Sequence, residues 1–301
     1  GMARAYTTKM KSCAFLTLDE VGDYVIDDEH AIAPLEALGW SVSTISWRQT
    51  GIPWSHFDAV IIRSTWDYWD DTDAFLSVLE TIDRESRLAN PIELVRWNYQ
   101  KTYMRDLASR GVKIVPTLFP ESVSAGKFRA WFEQHQCEQL VIKPVVGANG
   151  DDAFRVSIDT GTERLEEITE RFRIKPAQVQ PFMPHILDEG EFSLFYFNGD
   201  FSHAILKVPA RGEFRSQEEH GSEILAVEPE EQLQLRGRLA LAAIGDAPLY
   251  ARIDFVRDRS GDFALMEQEL IEPSMYLRMH PAAPERFARA IDQRFAGAVA
   301  E

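Results

Sequence analysis

The sequence predicts an α/β chain that turns α+β in its last third. From Lys11 to about Asn98, short apolar runs alternate with helical stretches, and this βαβ rhythm implies a parallel sheet covered on both faces. Further on, EFSLFYF and FSHAILKV flank Asn198-Gly199-Asp200, and Asn-Gly is the strongest short hairpin signal. LYARIDFVRD and DFALMEQEL flank Ser260-Gly261 and read as a second antiparallel hairpin.

SCAFLTL is the first strand; Asp27 and Asp28 start a helix that runs to Leu38 and is ended by Gly39. SVSTISW and FDAVIIRS are the next strands, and Asp71 to about Arg84 the next helix. Asn98 suits the N-cap of the helix in YQKTYMRDLASR, with Gly111 at its C′ position. A smaller α/β unit follows: the strand VPTLF, a helix near 128–135, the strand QLVIKP, a glycine turn, the strand AFRVS and the helix ERLEEITERF. Helices at about 230–243 and 284–295 complete the last third. The expected units are 10–97, 98–179 and 180–297.

The 301 residues fit about two domains or one large unit, and 45% hydrophobic content supplies an ample core. Lys and Arg total 32 against 48 Asp and Glu, a net charge of -16, so neither nucleic acid nor an anionic membrane is the expected partner. A locally basic pocket for a small anion stays compatible with that balance. Two cysteines, Cys13 and Cys137, make neither a metal motif nor a disulfide framework. No apolar run is long enough to span a bilayer, and the N-terminus lacks a signal-type apolar region, so a cytoplasmic protein is expected.

Glu267 and Glu269 stand two apart in the apolar strand ALMEQEL, and therefore on one face. In YARIDF, Arg252 and Asp254 share a face of the partner strand. Asp254, Glu267 and Glu269 would then converge, an oxygen-only set suited to Mg2+; a salt-bridged network with Arg252 and Arg278 is the competing account. Lys143 ends an apolar strand before Gly147 and Gly150, where glycines let backbone N–H groups approach a phosphate. Without Walker spacing, a solvated lysine before a surface turn is the plainer reading. The same holds for Lys101 on a helix. Pro181 in AQVQPFMP leaves backbone groups free that can read an adenine edge, or simply marks an edge strand. Lys207, Arg211, Arg215 and His220 cluster in a turn-rich segment that suggests an anion, unless Glu213, Glu218 and Glu219 neutralise it locally. Arg63, Ser64 and Asp67 follow an apolar strand, where ligands of open α/β sheets bind. Arg63 could clamp a carboxylate and Asp67 an amine; a local ion pair between them is the alternative.

Taken in order, Lys101, Lys143 with its glycine turn, VQPFM, EFRSQEEHG, RIDF and EQE resemble the ATP-grasp superfamily, in the branch with bacterial glutathione synthetase and peptide-glutamate ligases. IIRSTWDYW, NPIELVRWNYQK, EGEFSLFYFNG, FSHAILK and ELIEPS are most similar to the cycloserine-forming ATP-grasp ligases and their relatives. The resemblance runs from about Ser12 to Phe295. It implies an ATP-grasp fold: an N-terminal substrate platform, a small lid and a larger antiparallel unit with the metal site. Lys101 and Lys143 would hold the α- and β-phosphates of ATP under the Gly147–Gly150 turn. Gln180 and Phe182 would offer backbone to adenine, and Glu191, from the acidic run at 188–191, would take the ribose hydroxyls. Lys207 and Arg215, with Arg252, would face the γ-phosphate and acyl group, and Asp254, Glu267 and Glu269 would carry Mg2+, for which Mn2+ can substitute. Glu269 departs from the family's usual Glu-x-Asn, and Glu272-Pro273-Ser274 replaces its commoner small-residue turn.

The implied activity is ligation of a carboxylate to an amine or similar nitrogen nucleophile through an acyl phosphate, on a small amino-acid-like or peptide substrate. The alternative is an ATP-binding protein on the same fold without ligation, either a small-molecule kinase or an inactive interaction partner. A homodimer is compatible with either.

Overall fold

The computed structural model describes residues 9–147 and 150–296. Ala148 and Asn149 of the glycine turn, and Gly297 at the end of the third expected unit, lie outside the described residues.

The first sheet contains β1 (Lys11–Thr17), β2 (Trp40–Ser46), β3 (Ala59–Ser64) and β4 (Leu88–Ala89), parallel and in the order β2-β1-β3-β4. Parallel neighbours need crossovers, supplied here by α1 (Ile32–Ala37), entered through a 3-10 turn at Asp28–Ala31, and α2 (Thr72–Glu85). Asp71 caps α2 by accepting a hydrogen bond from the Ala74 N–H at 3.1 Å. Phe75, Leu79 and Ile82 repeat at helical spacing on its buried face. β3 is buried along its whole length, Arg63 and Ser64 included.

Two helices come next, α3 (Ile92–Asn98) and α4 (Tyr103–Ser109). Asn98 therefore closes a helix instead of capping the following one. Its buried amide donates to the Gln268 carbonyl at 2.8 Å and accepts from the Leu270 N–H at 3.0 Å. An asparagine that can satisfy nearby backbone can equally satisfy a distant strand. VPTLF forms no strand; it makes isolated bridges, Ile114 with Leu265 and Leu118 with Val179.

The second sheet contains β5 (Gln139–Pro144), β6 (Phe154–Ser157) and β7 (Ala177–Pro181), antiparallel and ordered β6-β5-β7. Pro181 falls on an edge strand, where the lost donor is tolerated. The helices α5 (Phe128–His135) and α6 (Thr162–Arg171) contribute Phe128, Trp131 and Ile168 to this unit's own core, against Leu140 and Ile142.

After the short α7 (His185–Asp188) comes the third sheet: β8 (Glu191–Phe197), β9 (Asp200–Val208), β10 (Glu223–Val227), β11 (Tyr250–Arg257) and β12 (Phe263–Glu269). Its order is β10-β9-β8-β11-β12, all antiparallel. Asn198 and Gly199 have φ of 49° and 87°, the two positive values that a primed hairpin turn demands. β10 is unanticipated, because its exposed pattern lacks clean alternation. The sheet is backed by α8 (Glu231–Ala242), and α9 (Ala283–Phe295) ends the described chain.

The first and third sheets share a core: Phe15, Leu35 and Trp40 pack in one cluster with Phe195, Tyr250 and Phe287. Asn90 ties them further, donating to the Tyr250 and Leu270 carbonyls at 3.0 and 2.7 Å and accepting from the Leu249 N–H at 2.8 Å. Among the described residues no helix is long and apolar enough to cross a membrane.

Candidate active site

Antiparallel register sets the chemistry. β11 and β12 pair so that Asp254 faces Glu267 and Arg252 faces Glu269. The pairing slips at Asp254/Phe255, leaving Met266 as the extra residue of a bulge. Because a bulge re-aims the chain, Met266 and Glu267 both line the cavity at the meeting of the sheets, together with Lys101, Lys143, Lys207 and Arg252. Gly147, Gly150, Glu269 and Glu272 complete that wall.

Ion pairs organise the cavity. Lys101, held at the turn before α4 by its N–H to Val145 carbonyl bond of 2.9 Å, pairs with Glu267. Burial opposes its charge, but Glu267 overrides this and its pKa lies well above the usual lysine value. Lys207 pairs with Glu191 at 2.7 Å and reaches Asp254 at 3.6 Å. Arg252 bonds Asp254 at 3.1 Å and Glu269 at 2.6 Å. Lys143 differs: among the described residues no carboxylate lies within ion-pair distance, and its ammonium rests 3.8 Å from the Met266 sulfur. Burial lowers its pKa, with Glu267 opposing. A desolvated lysine without a fixed partner suits an incoming phosphate.

The carboxylates are in excess. Burial pushes Glu269 up to about 7, with Arg252 opposing and Glu267 adding to the rise. Burial, and then the charge of Glu269, push Glu272 up to about 8. Glu267 stays below the ordinary range: burial works against its charge, and Lys101 and Lys143 outweigh it. Asp254, 1% exposed, is also lowered, Arg252 and Lys207 outweighing burial.

Convergence of three carboxylates does not occur as expected. Among the described residues no group of three His, Cys, Asp or Glu side chains is set to hold a metal. Asp254 lies beneath the cavity wall, with one oxygen taking the Ser193 hydroxyl at 2.6 Å and both engaging Arg252. The physical reason is charge: each acid turns to the nearest cation. What reaches the cavity is Glu267 and Glu269 beside the lysines. Glu267 and Glu269, neighbours on this wall, fit Mg2+, which takes one or two carboxylates and completes its shell with water and phosphate.

A second pocket shares Lys143, Gly150, Met266 and Glu267 with the first, so the two are adjacent. Val141, Ala153, Phe182, Met183 and Ile186 give it apolar walls, and Glu191 lies at its polar side. The Phe182 N–H is already bonded to the Gln139 carbonyl at 2.9 Å, so the backbone donor expected there is engaged by the sheet. Gln180 is buried and donates to the Thr117 hydroxyl at 3.0 Å. Arg215 borders this pocket and is held by Glu213 at 2.7 Å, the local neutralisation weighed as the alternative. A Cβ at Gly150, whose φ is +68°, would meet the Gln217 side-chain oxygen at 2.7 Å. The positive φ favours glycine here, and a larger residue would also have to displace the Gln217 side chain.

Arg63 is a correction. It is 1% exposed, bonded to Asp28 at 2.9 Å and to the Pro273 carbonyl at 2.7 Å, with Tyr250 beneath its guanidinium at 5.0 Å. A substrate carboxylate cannot reach it. The strand end turns inward onto the shared core, and its ion-pair partner is Asp28, not Asp67. Asp67 pairs with Arg48 at 2.9 Å and accepts from the Trp47 indole at 2.6 Å, and the Ser64 hydroxyl bonds that of Thr17 at 2.7 Å. Trp66, from the same strand end, is what lines the cavity. Met266, Gln217 and Tyr276 line it too; sequence periodicity could not flag Met266, since a bulge breaks the alternation it relies on.

Residues 13–90 match the family described as the D-cycloserine synthetase DcsG N-terminal domain, and residues 112–254 the prokaryotic glutathione synthetase ATP-grasp domain. The chain therefore carries an ATP-grasp domain with a DcsG-type domain ahead of it. Among individual relatives, the cycloserine biosynthesis protein DcsG of Streptomyces lavendulae is 29% identical over 274 residues, covering 85% of this chain and 90% of that one. The crystal structure of D-cycloserine synthetase DcsG superposes with a TM-score of 0.84 at 26% identity, over 94% of this chain and 99% of that one. The D-alanine–D-alanine ligase of Bacillus anthracis shares the fold, with a TM-score of 0.65 at 14% identity over 94% of this chain and 95% of that one. By these relationships the chain is an ATP-grasp ligase.

Proposed function

We propose that this ligase uses ATP and Mg2+ to join a carboxylate to an amine or similar nitrogen nucleophile, on a small amino-acid-like or peptide substrate, releasing ADP and phosphate. One observation carries the reading: an apolar pocket shares a wall with a cavity where Lys101, Lys143, Lys207 and Arg252 meet Glu267 and Glu269. The first suits a planar heterocycle, the second a polyphosphate with its metal. Mg2+ would be held by Glu267 and Glu269, with Asp254 available only by exchanging its Arg252 and Lys207 contacts, and would neutralise charge on the transferred phosphoryl group.

The chain's own residues position and neutralise, as phosphoryl transfer requires. Lys143 would meet the phosphates, and Lys101 would join it where Glu267, its present partner, held the metal. Lys207 and Arg252 face the acid, whose carboxylate attacks the γ-phosphorus and expels ADP; the amine then attacks the carbonyl of the resulting acyl phosphate and expels phosphate. Water would destroy that intermediate, so the unit 98–179 acts as a lid over it. Gln180 and Glu191 border the base and ribose, and Arg215 joins the γ-phosphate only by leaving Glu213.

The test is ADP release screened against pairs of amino acids. Release that needs both an acid and an amine supports ligation; release with a hydroxyl acceptor and a phosphorylated product marks a kinase. Glu267→Gln keeps the fold but loses Mg2+-dependent turnover, because an amide ligates a hard cation poorly. Unchanged ADP release in that variant would refute the magnesium assignment.

A further inference from the structure

Among the described residues, and the exposed Asp151 and Glu219 aside, Glu272 stands apart from the acids in and beneath the cavity wall. Glu267 has Lys101, Glu269 has Arg252, and Asp254 has Arg252 and Lys207. Glu272 has no cation within ion-pair distance, is 9% exposed, and its Oε2 is buried without a hydrogen-bond partner. A buried carboxylate that the protein leaves unsatisfied is costly unless something else supplies the partner.

Its surroundings indicate what arrives. Glu272, Ser274 and Tyr276 alternate along the chain and all line the cavity. Trp66 lines it as well, and its indole N–H donates to the Glu272 carbonyl at 2.8 Å, fixing the ring beside this residue. A buried carboxyl oxygen without a hydrogen-bond partner, in a cavity that an indole and a phenol also line, suits a weakly hydrated organic cation.

We propose that Glu272 receives the ammonium group of the substrate at the end of the cavity walled by Trp66 and Tyr276, so that this ligase selects a free amino acid over its N-blocked counterpart. The proposal rests on the ligase reading of the same cavity, and equilibrium binding separates the two. The full chain, loaded with Mg2+ and a non-hydrolysable ATP analogue, is titrated calorimetrically with D- and L-α-amino acids, each beside its N-acetyl derivative. At least one free amino acid should bind, its acetylated form about tenfold or more weakly. Glu272→Gln should weaken the free form on the order of tenfold to a hundredfold, leaving the acetylated form and the loaded nucleotide unaffected. Equal binding by wild type and variant overturns the proposal. So does loss of Mg2+-nucleotide binding in the variant, which would make Glu272 a metal ligand, or failure of every free amino acid to bind wild type. Should Glu272→Gln not fold, the wild-type comparison of free and acetylated forms decides alone. Absence of ADP release with every pair would sink ligation without touching this binding result.

Discussion

At the scale of single residues, Arg63 illustrates how a cation at a strand end is read differently before and after folding. Its sequence position invites a substrate, yet in the fold it neutralises Asp28. Burial raises the Asp28 pKa and Arg63 opposes that rise. Removing one member of a buried pair leaves the other uncompensated, at a cost of about 3–5 kcal/mol. Arg63→Ala is therefore expected to lower the thermal midpoint markedly, while KM for ATP and for the acid stays unchanged at a temperature where the variant is folded. Adding Asp28→Asn should recover part of the loss, a coupling that a double-mutant cycle measures. A selective rise in the acid's KM with an unchanged midpoint would restore Arg63 to the substrate site.

At the scale of elements, α8 lies so close to β8 that Gly237 has no room for a side chain. A Cβ there would come 2.1 Å from the Tyr196 hydroxyl and 2.9 Å from Leu194 Cδ2. Two effects compete in Gly237→Ala. Helix propensity favours alanine by about 1 kcal/mol, and overpacking a filled core costs roughly 1–3 kcal/mol. Tyr196 and Leu194 are themselves buried in the cluster against Leu233 and Ala240, so neither can swing away and overpacking wins. Net destabilisation of up to about 2 kcal/mol is expected in urea unfolding; a more stable variant would mean that the helix shifts freely. The hairpins were legible at this scale because Asn-Gly needs nothing but local backbone geometry. The end of α3 was not, because Asn98 answers to β12, far along the chain.

At the scale of the whole molecule, the shared core of the first and third sheets also contains a titratable group. His203 is buried, stacked on Phe195 at 4.3 Å, and joined to the segment before α9 by its Nε2–H to the Met275 carbonyl at 2.9 Å. Nδ1 lies 2.8 Å from the Ser202 hydroxyl, from which it accepts in the neutral ring. Burial, with His280 and Arg286 adding to it, lowers the His203 pKa to about 4. An unfolded histidine takes up a proton near its ordinary value of about 6.5, so between these two pH values the unfolded chain binds more protons. Stability is then fully present above about pH 6.5 and falls as pH drops towards 4, by roughly 3 kcal/mol over the window. Urea unfolding from pH 7 to 4.5 checks this, and His203→Gln should flatten the His203 share of the slope. An unchanged slope in that variant would assign the acid sensitivity elsewhere.

The sequence by itself determined what depends on neighbours in the chain. It established the βαβ rhythm of residues 11–89, both hairpins, and the placing of Glu267 and Glu269 on one face with Arg252 and Asp254 opposite, because side-chain alternation and turn preference are local. Its ordered motifs also pointed to the ATP-grasp fold. Tertiary structure alone decided which charges meet: that Asp254 lies beneath the cavity with Arg252 and Lys207, that Arg63 faces inward to Asp28, that a bulge brings Met266 to the wall, and that Glu272 is left without a partner. Such pairings depend on strands and loops up to two hundred residues apart, and on the low-dielectric interior in which a few ångströms decide whether a charge is satisfied.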